Sequence, residues 1–195
     1  MKQATRVGNN DHLIIMLHGT GGSASDLFGI GEILDQDATF VGIEGEVLEN
    51  GMRRYFKRYA DGSFDLESLK EETEKVYNEI VDIVKDYPEH RITVIGYSNG
   101  ANILTSIFKT FSNVPVDNAI LYHPSPTLNE QKVASQKTNV MLTSGQQDPF
   151  ISESEFSDLA RAYRSADVST SVFTHELGHQ LLQSELEASK AFLCA

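Results

Sequence analysis

A serine flanked by glycines is the feature of this sequence best suited to chemistry, in the stretch Gly96-Tyr97-Ser98-Asn99-Gly100. A β-branched, apolar run precedes it and is typical of a buried strand, and apolar residues at helical spacing follow it. A sharp turn from strand to helix strains the serine backbone and exposes the hydroxyl, and the glycines avoid a clash. The helix also directs its positive end at the reacting atoms. Ser98 is therefore a candidate nucleophile, although the same pattern also occurs as an ordinary glycine-rich turn.

A glycine-rich loop near the N-terminus is the second candidate for chemistry. The apolar run Leu13–Leu17 ends in His18-Gly19-Thr20-Gly21-Gly22-Ser23. Backbone N–H groups in such a loop can converge on an anion. Beside a strand–serine–helix turn, the loop is the natural second half of an oxyanion hole, with the N–H groups of Thr20 and Asn99 as donors. Without that neighbour it would be a simple glycine-rich turn.

Other candidate residues also follow predicted strands. Asp148 lies in the loop after the strand predicted at residues 139–145, where a carboxylate of a catalytic triad would lie, but Asp148-Pro149 is also a plain turn signal. His179 follows the last predicted strand. We expect the substrate to be contacted by residues near the same edge of the sheet, namely Gly19, Gly21, His123 and Phe150, with His123 as a pocket wall.

The elements that must hold these residues alternate between strand and helix along the whole chain. This pattern predicts an α/β fold in which residues 1–195 form a single domain, without a large cap domain. The expected sheet is doubly wound and mostly parallel, with about six or seven strands and helices on both faces. Ligands bind such sheets at the carboxyl ends of the strands, where Thr20, Ser98, Asp148 and His179 all fall.

Some stretches carry weaker expectations. We predict a helix from Ala24 to Leu34 capped by a serine, an irregular stretch from Glu44 to Asp65, and a final helix that begins near Gly178-His179. His12 is expected at the surface. Within the irregular stretch, Arg53 to Arg58 is a basic, aromatic segment in an acidic chain. It could recognise an acidic or aromatic substrate, but its charges are better explained by solvent exposure, and we expect the loop to border the site.

Bulk composition excludes several classes of function. The formal net charge of −12 argues against binding to nucleic acids or to anionic lipid surfaces. The single cysteine, Cys194, excludes an internal disulfide and is compatible with a reducing compartment. No secretory signal and no apolar run of membrane-spanning length are evident, so a cytoplasmic location is expected.

A competing motif, His175-Glu176-Leu177-Gly178-His179, matches the zinc-binding pattern H-E-x-x-H. On a helix it would place two imidazoles on one face, with Glu176 as general base of a zinc metalloprotease. The residues before it resemble a strand that leads into a loop, so a helical His175 is not expected. The sequence favours a role for His179 alone.

Four segments together resemble the α/β-hydrolase superfamily, and most closely the small bacterial carboxylesterases of the phospholipase/carboxylesterase group, which includes acyl-protein thioesterases. The segments are Leu17–Gly22, Gly96–Asn102, Gly145–Pro149 and Gly178–Gln180. The resemblance implies Ser98 as nucleophile, His179 as base and Asp148 as orienting acid. Asn99-Gly100-Ala101 replaces the Gln-Gly-Gly of many thioesterases, and Thr20 replaces a hydrophobic residue, which argues against long acyl chains on membrane proteins.

The expected function is a serine esterase or thioesterase that acts on small or short-chain acyl substrates without a metal or organic cofactor. A triad does not choose the leaving group, so a peptidase or amidase remains an alternative. A hydrolase fold used only for binding is another, although such proteins usually lose a triad residue. The expected partner is a small ester or thioester, and homodimerisation is left open.

Overall fold

The computed structural model describes all 195 residues and contains a seven-stranded sheet in the order β1-β3-β2-β6-β7-β8-β9. The strands of this sheet are β1 Gln3–Arg6, β2 His12–Leu17, β3 Thr39–Ile43, β6 Arg91–Tyr97, β7 Asn118–Tyr122, β8 Asn139–Gly145 and β9 Thr170–His175. All neighbours pair in parallel except β1, which is antiparallel to β3. The sheet is thus mostly parallel, as the sequence predicts.

Helices cover both faces of this sheet, which explains why its central strands are apolar on both sides. One face packs against α2 (Leu66–Lys85), α3 (Asn99–Thr110) and α4 (Glu153–Ser165) in the larger hydrophobic core. The opposite face packs against α1 (Phe28–Leu34) and α5 (Gln183–Cys194) in a smaller core. No helix combines the length and the apolar character needed to cross a membrane.

The strand order brings the candidate residues to one edge. The chain winds outward in two directions from β2 and β6, which pair with each other and include the register Leu17↔Gly96. The loops that follow these two strands carry Thr20 and Ser98, so both lie at the crevice where such sheets bind ligands.

Three local predictions are wrong. Helix α1 begins at Phe28 rather than Ala24, because the preceding residues form turns. The stretch predicted to be irregular contains a two-stranded hairpin, β4 (Val47–Glu49) and β5 (Met52–Arg54). Helix α5 begins at Gln183 rather than near His179, because Leu182 is extended and its N–H donates to Glu185 Oε2, 3.2 Å away.

The prediction for His12 is also wrong. Its side chain is buried at the start of β2, with Nδ1 2.8 Å from Asp35 Oδ2 and Nε2 2.8 Å from Thr93 Oγ1. These partners satisfy both ring nitrogens, so the imidazole can be buried without an unpaired polar atom.

Candidate active site

Ser98 occupies a strained turn between β6 and α3. Its φ of 52° and ψ of −111° lie in a region that residues other than glycine rarely adopt. The two flanking glycines are required sterically: a Cβ at Gly96 would lie 2.6 Å from the backbone of Gly100, and one at Gly100 would lie 2.1 Å from Leu17 O. The turn therefore depends on backbone packing that a side chain would prevent.

A hydrogen-bonded chain connects Ser98, His179 and Asp148. Ser98 Oγ lies 2.8 Å from His179 Nε2, and His179 Nδ1 lies 2.6 Å from Asp148 Oδ2. Because a carboxylate oxygen can only accept, Nδ1 carries the proton and Nε2 is free to accept the serine proton. His179 thus meets Ser98, 81 positions away in the sequence, and Asp148, 31 positions away, in a single site.

The Asp148 carboxylate is fully enclosed by protein. Its Oδ1 accepts the Phe150 N–H at 2.9 Å, and its Oδ2 also faces His123 Nδ1 at 3.1 Å. Burial raises the pKa of Asp148, but hydrogen bonds from His179, the Phe150 N–H and His123 outweigh it, so the pKa lies below its ordinary value. The group is an anion at neutral pH.

Tyr97 is a site residue that the sequence did not indicate. Its hydroxyl donates to the backbone carbonyl of His179 over 2.6 Å, and the two rings lie 5.6 Å apart. Tyr97 directly precedes Ser98, so this hydrogen bond connects the loop that carries His179 to the turn that carries Ser98. No local sequence signal could reveal a contact between residues 82 positions apart.

The two residues expected to stabilise an oxyanion, Thr20 and Asn99, line the same cleft as Ser98. The Thr20 N–H has no hydrogen-bond partner within the chain. Asn99 is the first residue of α3, and the first N–H groups of a helix have no intrahelical acceptor. The Asn99 side chain faces away from this role, because its Oδ1 accepts the Tyr55 N–H at 2.7 Å.

A cleft of about 490 Å³ opens over Ser98 and His179, and only three of its 16 lining residues are hydrophobic. Phe150 lines it and is 60% exposed, with its ring 4.7 Å from that of His179. Gly19 and Gly21 do not line the cleft. His123 is completely buried, so its prediction as a pocket wall and substrate contact is wrong.

The basic segment divides into three different environments. Arg54 is 3% exposed and lines the cleft, so the prediction that its charge is solvated is wrong. Arg58 also lines the cleft and pairs with Glu49 at 2.9 Å, whereas Arg53 lies outside it. The segment does border the site, as expected.

The H-E-x-x-H residues lack the geometry that the alternative zinc site would require. His175 ends β9, and its Nδ1 accepts the Leu177 N–H at 3.1 Å, while His179 lies in the following loop. No group of three potential ligands contains both histidines. The two imidazoles therefore do not share a helix face, and the zinc-site geometry is absent.

Comparison with known proteins identifies the family. The model of the dienelactone hydrolase family matches residues 10–191. The chain belongs to the dienelactone hydrolase family. MhqD of Bacillus subtilis (strain 168), a relative named as a hydrolase, is 35% identical, and the match covers 97% of this chain and 96% of MhqD.

Solved structures agree with this assignment. A Bacillus cereus carboxylesterase has a TM-score of 0.92 and 34% identity, covering 98% of this chain and 92% of the carboxylesterase. A structure of YahD with malic acid has a TM-score of 0.87 and 29% identity, covering 99% of this chain and 98% of YahD. This family member is therefore a hydrolase of carboxylesterase type with the α/β-hydrolase fold.

Proposed function

We propose that the protein is a serine hydrolase that cleaves carboxylic esters or thioesters of small or short-chain acyl groups through an acyl-Ser98 intermediate. The continuous hydrogen bonds from Ser98 Oγ to His179, at 2.8 Å, and from His179 to Asp148, at 2.6 Å, carry the proposal. The small number of hydrophobic residues around the cleft supports a small substrate, because a long acyl chain requires a continuous apolar wall.

The mechanism follows from this geometry. His179 Nε2 takes the serine proton as Oγ attacks the carbonyl carbon, and Asp148 stabilises the imidazolium that results. The N–H groups of Thr20 and Asn99 stabilise the oxyanion, and losing one such donor typically costs about 3 kcal/mol. Collapse expels the alcohol or thiol with the proton from His179. Water, deprotonated by the same histidine, then releases the acid and restores Ser98.

A labelling assay separates this mechanism from the alternatives. The purified protein is incubated with a fluorophosphonate probe or a chelator, and hydrolysis of p-nitrophenyl acetate and butyrate is measured. We expect a label on Ser98, loss of activity on labelling, and indifference to the chelator. Activity lost to the chelator and restored by zinc would instead indicate a metalloenzyme. Neither label nor hydrolysis would indicate a binding protein.

The leaving group is a separate question, because a triad also serves amidases. A p-nitroanilide with the same acyl group as the ester tests it directly. The proposal predicts that kcat/KM for the ester exceeds that for the anilide. A higher value for the anilide would reassign the protein to the amidases while leaving the serine mechanism intact.

An unpaired cation in the cleft supports an anionic group on the substrate. No carboxylate forms an ion pair with Arg54; its Nε donates to Phe56 O at 3.2 Å and its Nη1 to Thr20 Oγ1 at 2.6 Å. Its Nη2 makes no hydrogen bond. Burial and the nearby charge of Arg58 outweigh the opposing charge of Glu49 and lower the pKa of Arg54 to about 10, so the guanidinium is still charged at neutral pH.

Glu49 lies near Arg54 but pairs with Arg58, so a carboxylate or phosphate bound in the cleft would offset the cost of burying the Arg54 charge. Guanidinium groups bind such anions through paired hydrogen bonds. The presence of malic acid, a small dicarboxylic acid, in the YahD structure supports the same chemistry. We therefore favour a small ester that bears a second, anionic group.

Two esters with the same leaving group test this preference. Arg54→Gln should raise KM for mono-p-nitrophenyl succinate by about tenfold more than KM for p-nitrophenyl acetate, the loss expected for one charged hydrogen bond. Arg53→Gln is the control, because Arg53 is 42% exposed and pairs with Glu44 outside the cleft. An equal loss of kcat for both esters would mean that Arg54 only supports the Thr20 loop.

A further inference from the structure

A second histidine contacts the carboxylate of the candidate triad from the buried side. His123 Nδ1 lies 3.1 Å from Asp148 Oδ2, and His123 Nε2 lies 3.3 Å from Glu185 Oε2. All three side chains are fully enclosed. His123 has a φ of 50°, a conformation that residues other than glycine rarely adopt. Its position is therefore imposed by the surrounding structure.

The partners of His123 determine its protonation. A neutral imidazole has one N–H donor and one acceptor nitrogen, whereas the imidazolium has two donors. Both ring nitrogens of His123 face carboxylate oxygens, which are acceptors only when the carboxylates are ionised. A neutral ring would set a nitrogen lone pair against one of these carboxylates. The arrangement is satisfied when both nitrogens carry a proton.

The local charge balance leads to the same conclusion. No lysine or arginine pairs with Asp148 or Glu185, and all of their ion-pair partners are histidines. His123 is therefore the one group that lies between these two buried anions. Burial lowers the pKa of His123, but hydrogen bonds and charges from Glu185 and Asp148 outweigh it and leave the pKa raised.

The other groups around His123 do not replace this charge. The His175 ring from the end of β9 lies 5.4 Å away, the Tyr97 ring from β6 lies 6.1 Å away, and the His179 ring lies 5.2 Å away. Because His175 Nδ1 accepts the Leu177 N–H, its proton is on Nε2, which faces Glu185 Oε2 at 3.7 Å. At this distance His175 Nε2 makes no hydrogen bond, so His175 does not replace His123 as the donor to Glu185.

We propose that His123 is a positioning residue of the catalytic machinery, a buried imidazolium that bridges Asp148 and Glu185 and fixes the Asp148 carboxylate against His179. The proposal rests on the proposed function in one respect, the use of Asp148 and His179 in catalysis. His123 neutralises Glu185, so that the base is influenced by the charge of Asp148 alone. It contacts neither the substrate nor Ser98.

A single variant of His123 and a double variant of His123 and Glu185 together test the proposal. His123→Gln removes the cation and leaves two buried carboxylates beside His179. We expect the acidic limb of the pH profile of kcat/KM, measured with p-nitrophenyl acetate, to move upward by about one pH unit. The double variant His123→Gln/Glu185→Gln removes one charge of each sign, and its limb should return to the wild-type position.

His12→Gln is the matched control. It disrupts another buried histidine–carboxylate contact, between His12 Nδ1 and Asp35 Oδ2 at 2.8 Å, at the opposite end of the parallel strands. It should lower the melting temperature without moving the acidic limb. An unmoved limb in His123→Gln, or a double variant shifted as far as the single one, would overturn the positioning role. If His123→Gln does not fold, the double variant should fold, because no unpaired anion remains.

Nitrogen-15 NMR of protein with isotope-labelled histidines measures the protonation of the His123 ring directly, and the measurement does not depend on activity. Both His123 ring nitrogens should be protonated at pH 7 in the wild type and in Ser98→Ala. A neutral His123 would overturn the proposal even if the enzyme is active. Conversely, a charged His123 in a protein without fluorophosphonate labelling or esterase activity would count against the proposed function alone.

Discussion

The two sides of Asp148 differ in solvent access and in the partner of each histidine. On the open side, His179 is partly exposed and faces the Ser98 hydroxyl; on the buried side, His123 is fully enclosed and faces Glu185. Both histidines contact the same oxygen, Oδ2, at 2.6 Å and 3.1 Å respectively. The hydroxyl can donate to His179 Nε2, whereas an ionised carboxylate only accepts, so the proposed imidazolium at His123 satisfies both of its partners.

In the proposed arrangement, one aspartate orients a neutral base and a cation at once, because their outer partners differ in hydrogen-bonding character. In the proposed mechanism, the open side supplies a nitrogen that accepts a proton. The buried side supplies a fixed charge that changes little during the reaction. The predictions below disrupt first the open side, then the shared carboxylate, and then its supports.

Removing the hydroxyl on the open side has the largest expected effect. Ser98→Ala should lower kcat for p-nitrophenyl acetate by at least about 10⁴-fold, because no nucleophile remains beside His179. Circular dichroism should show an unchanged fold. Ser157→Ala, at an exposed position on α4, should retain full activity. Substantial residual turnover in Ser98→Ala would refute the assignment of the nucleophile.

Changing the shared carboxylate has the next largest effect. Asp148→Asn presents an amide donor to His179 and so favours the tautomer whose Nε2 carries the proton. We expect kcat at neutral pH to fall by about 10³- to 10⁴-fold. Asp158→Asn is the control, since Asp158 is exposed and pairs with Arg161 on the same helix. A loss below about tenfold would mean that Asp148 does not orient the base.

Weakening the support of the open side has a smaller effect. Tyr97→Phe removes the 2.6 Å hydrogen bond to the His179 carbonyl and keeps the ring. At about 1 kcal/mol per hydrogen bond, kcat should fall roughly fivefold. Tyr59→Phe, at an exposed position in the loop after β5, is the control. A loss as large as that of Asp148→Asn would give Tyr97 a more direct role.

Removing the His123–Glu185 pair on the buried side has the smallest expected effect, which is a change in the pH dependence of stability. The pKa of His123 is raised above its ordinary value of 6.5, so its contribution is complete below about pH 6.5 and is lost as the pH rises through the folded-state pKa. The difference in melting temperature, wild type minus His123→Gln/Glu185→Gln, should therefore decrease from pH 6 to pH 9. A difference that grows with pH would contradict the charged state.

The serine turn and the mostly parallel sheet could be predicted because their signals are local. Gly96 and Gly100 lie within two residues of Ser98, and continuous apolar runs indicate the buried strands. The distant partners could not be predicted. His123 contacts residues 25 and 62 positions away in the sequence. A histidine at this position could equally line a pocket or be buried between carboxylates, and the sequence does not distinguish the two.

Arg54 illustrates the same limit. In the sequence it is one of several basic residues in a segment without periodicity, for which solvent exposure is the usual explanation. Its burial depends on the β4–β5 hairpin, which places its side chain against Thr20 and the cleft. Three-residue strands are too short for sequence periodicity to reveal.

The most direct test of the central claim is to trap the acyl-enzyme. The protein is mixed with p-nitrophenyl butyrate, quenched in acid at increasing times, digested and analysed by mass spectrometry. We expect one butyryl group on the peptide that contains Ser98, formed during the initial burst of p-nitrophenol and absent from Ser98→Ala. Turnover without an adduct on Ser98, or with the adduct on another residue, would contradict it.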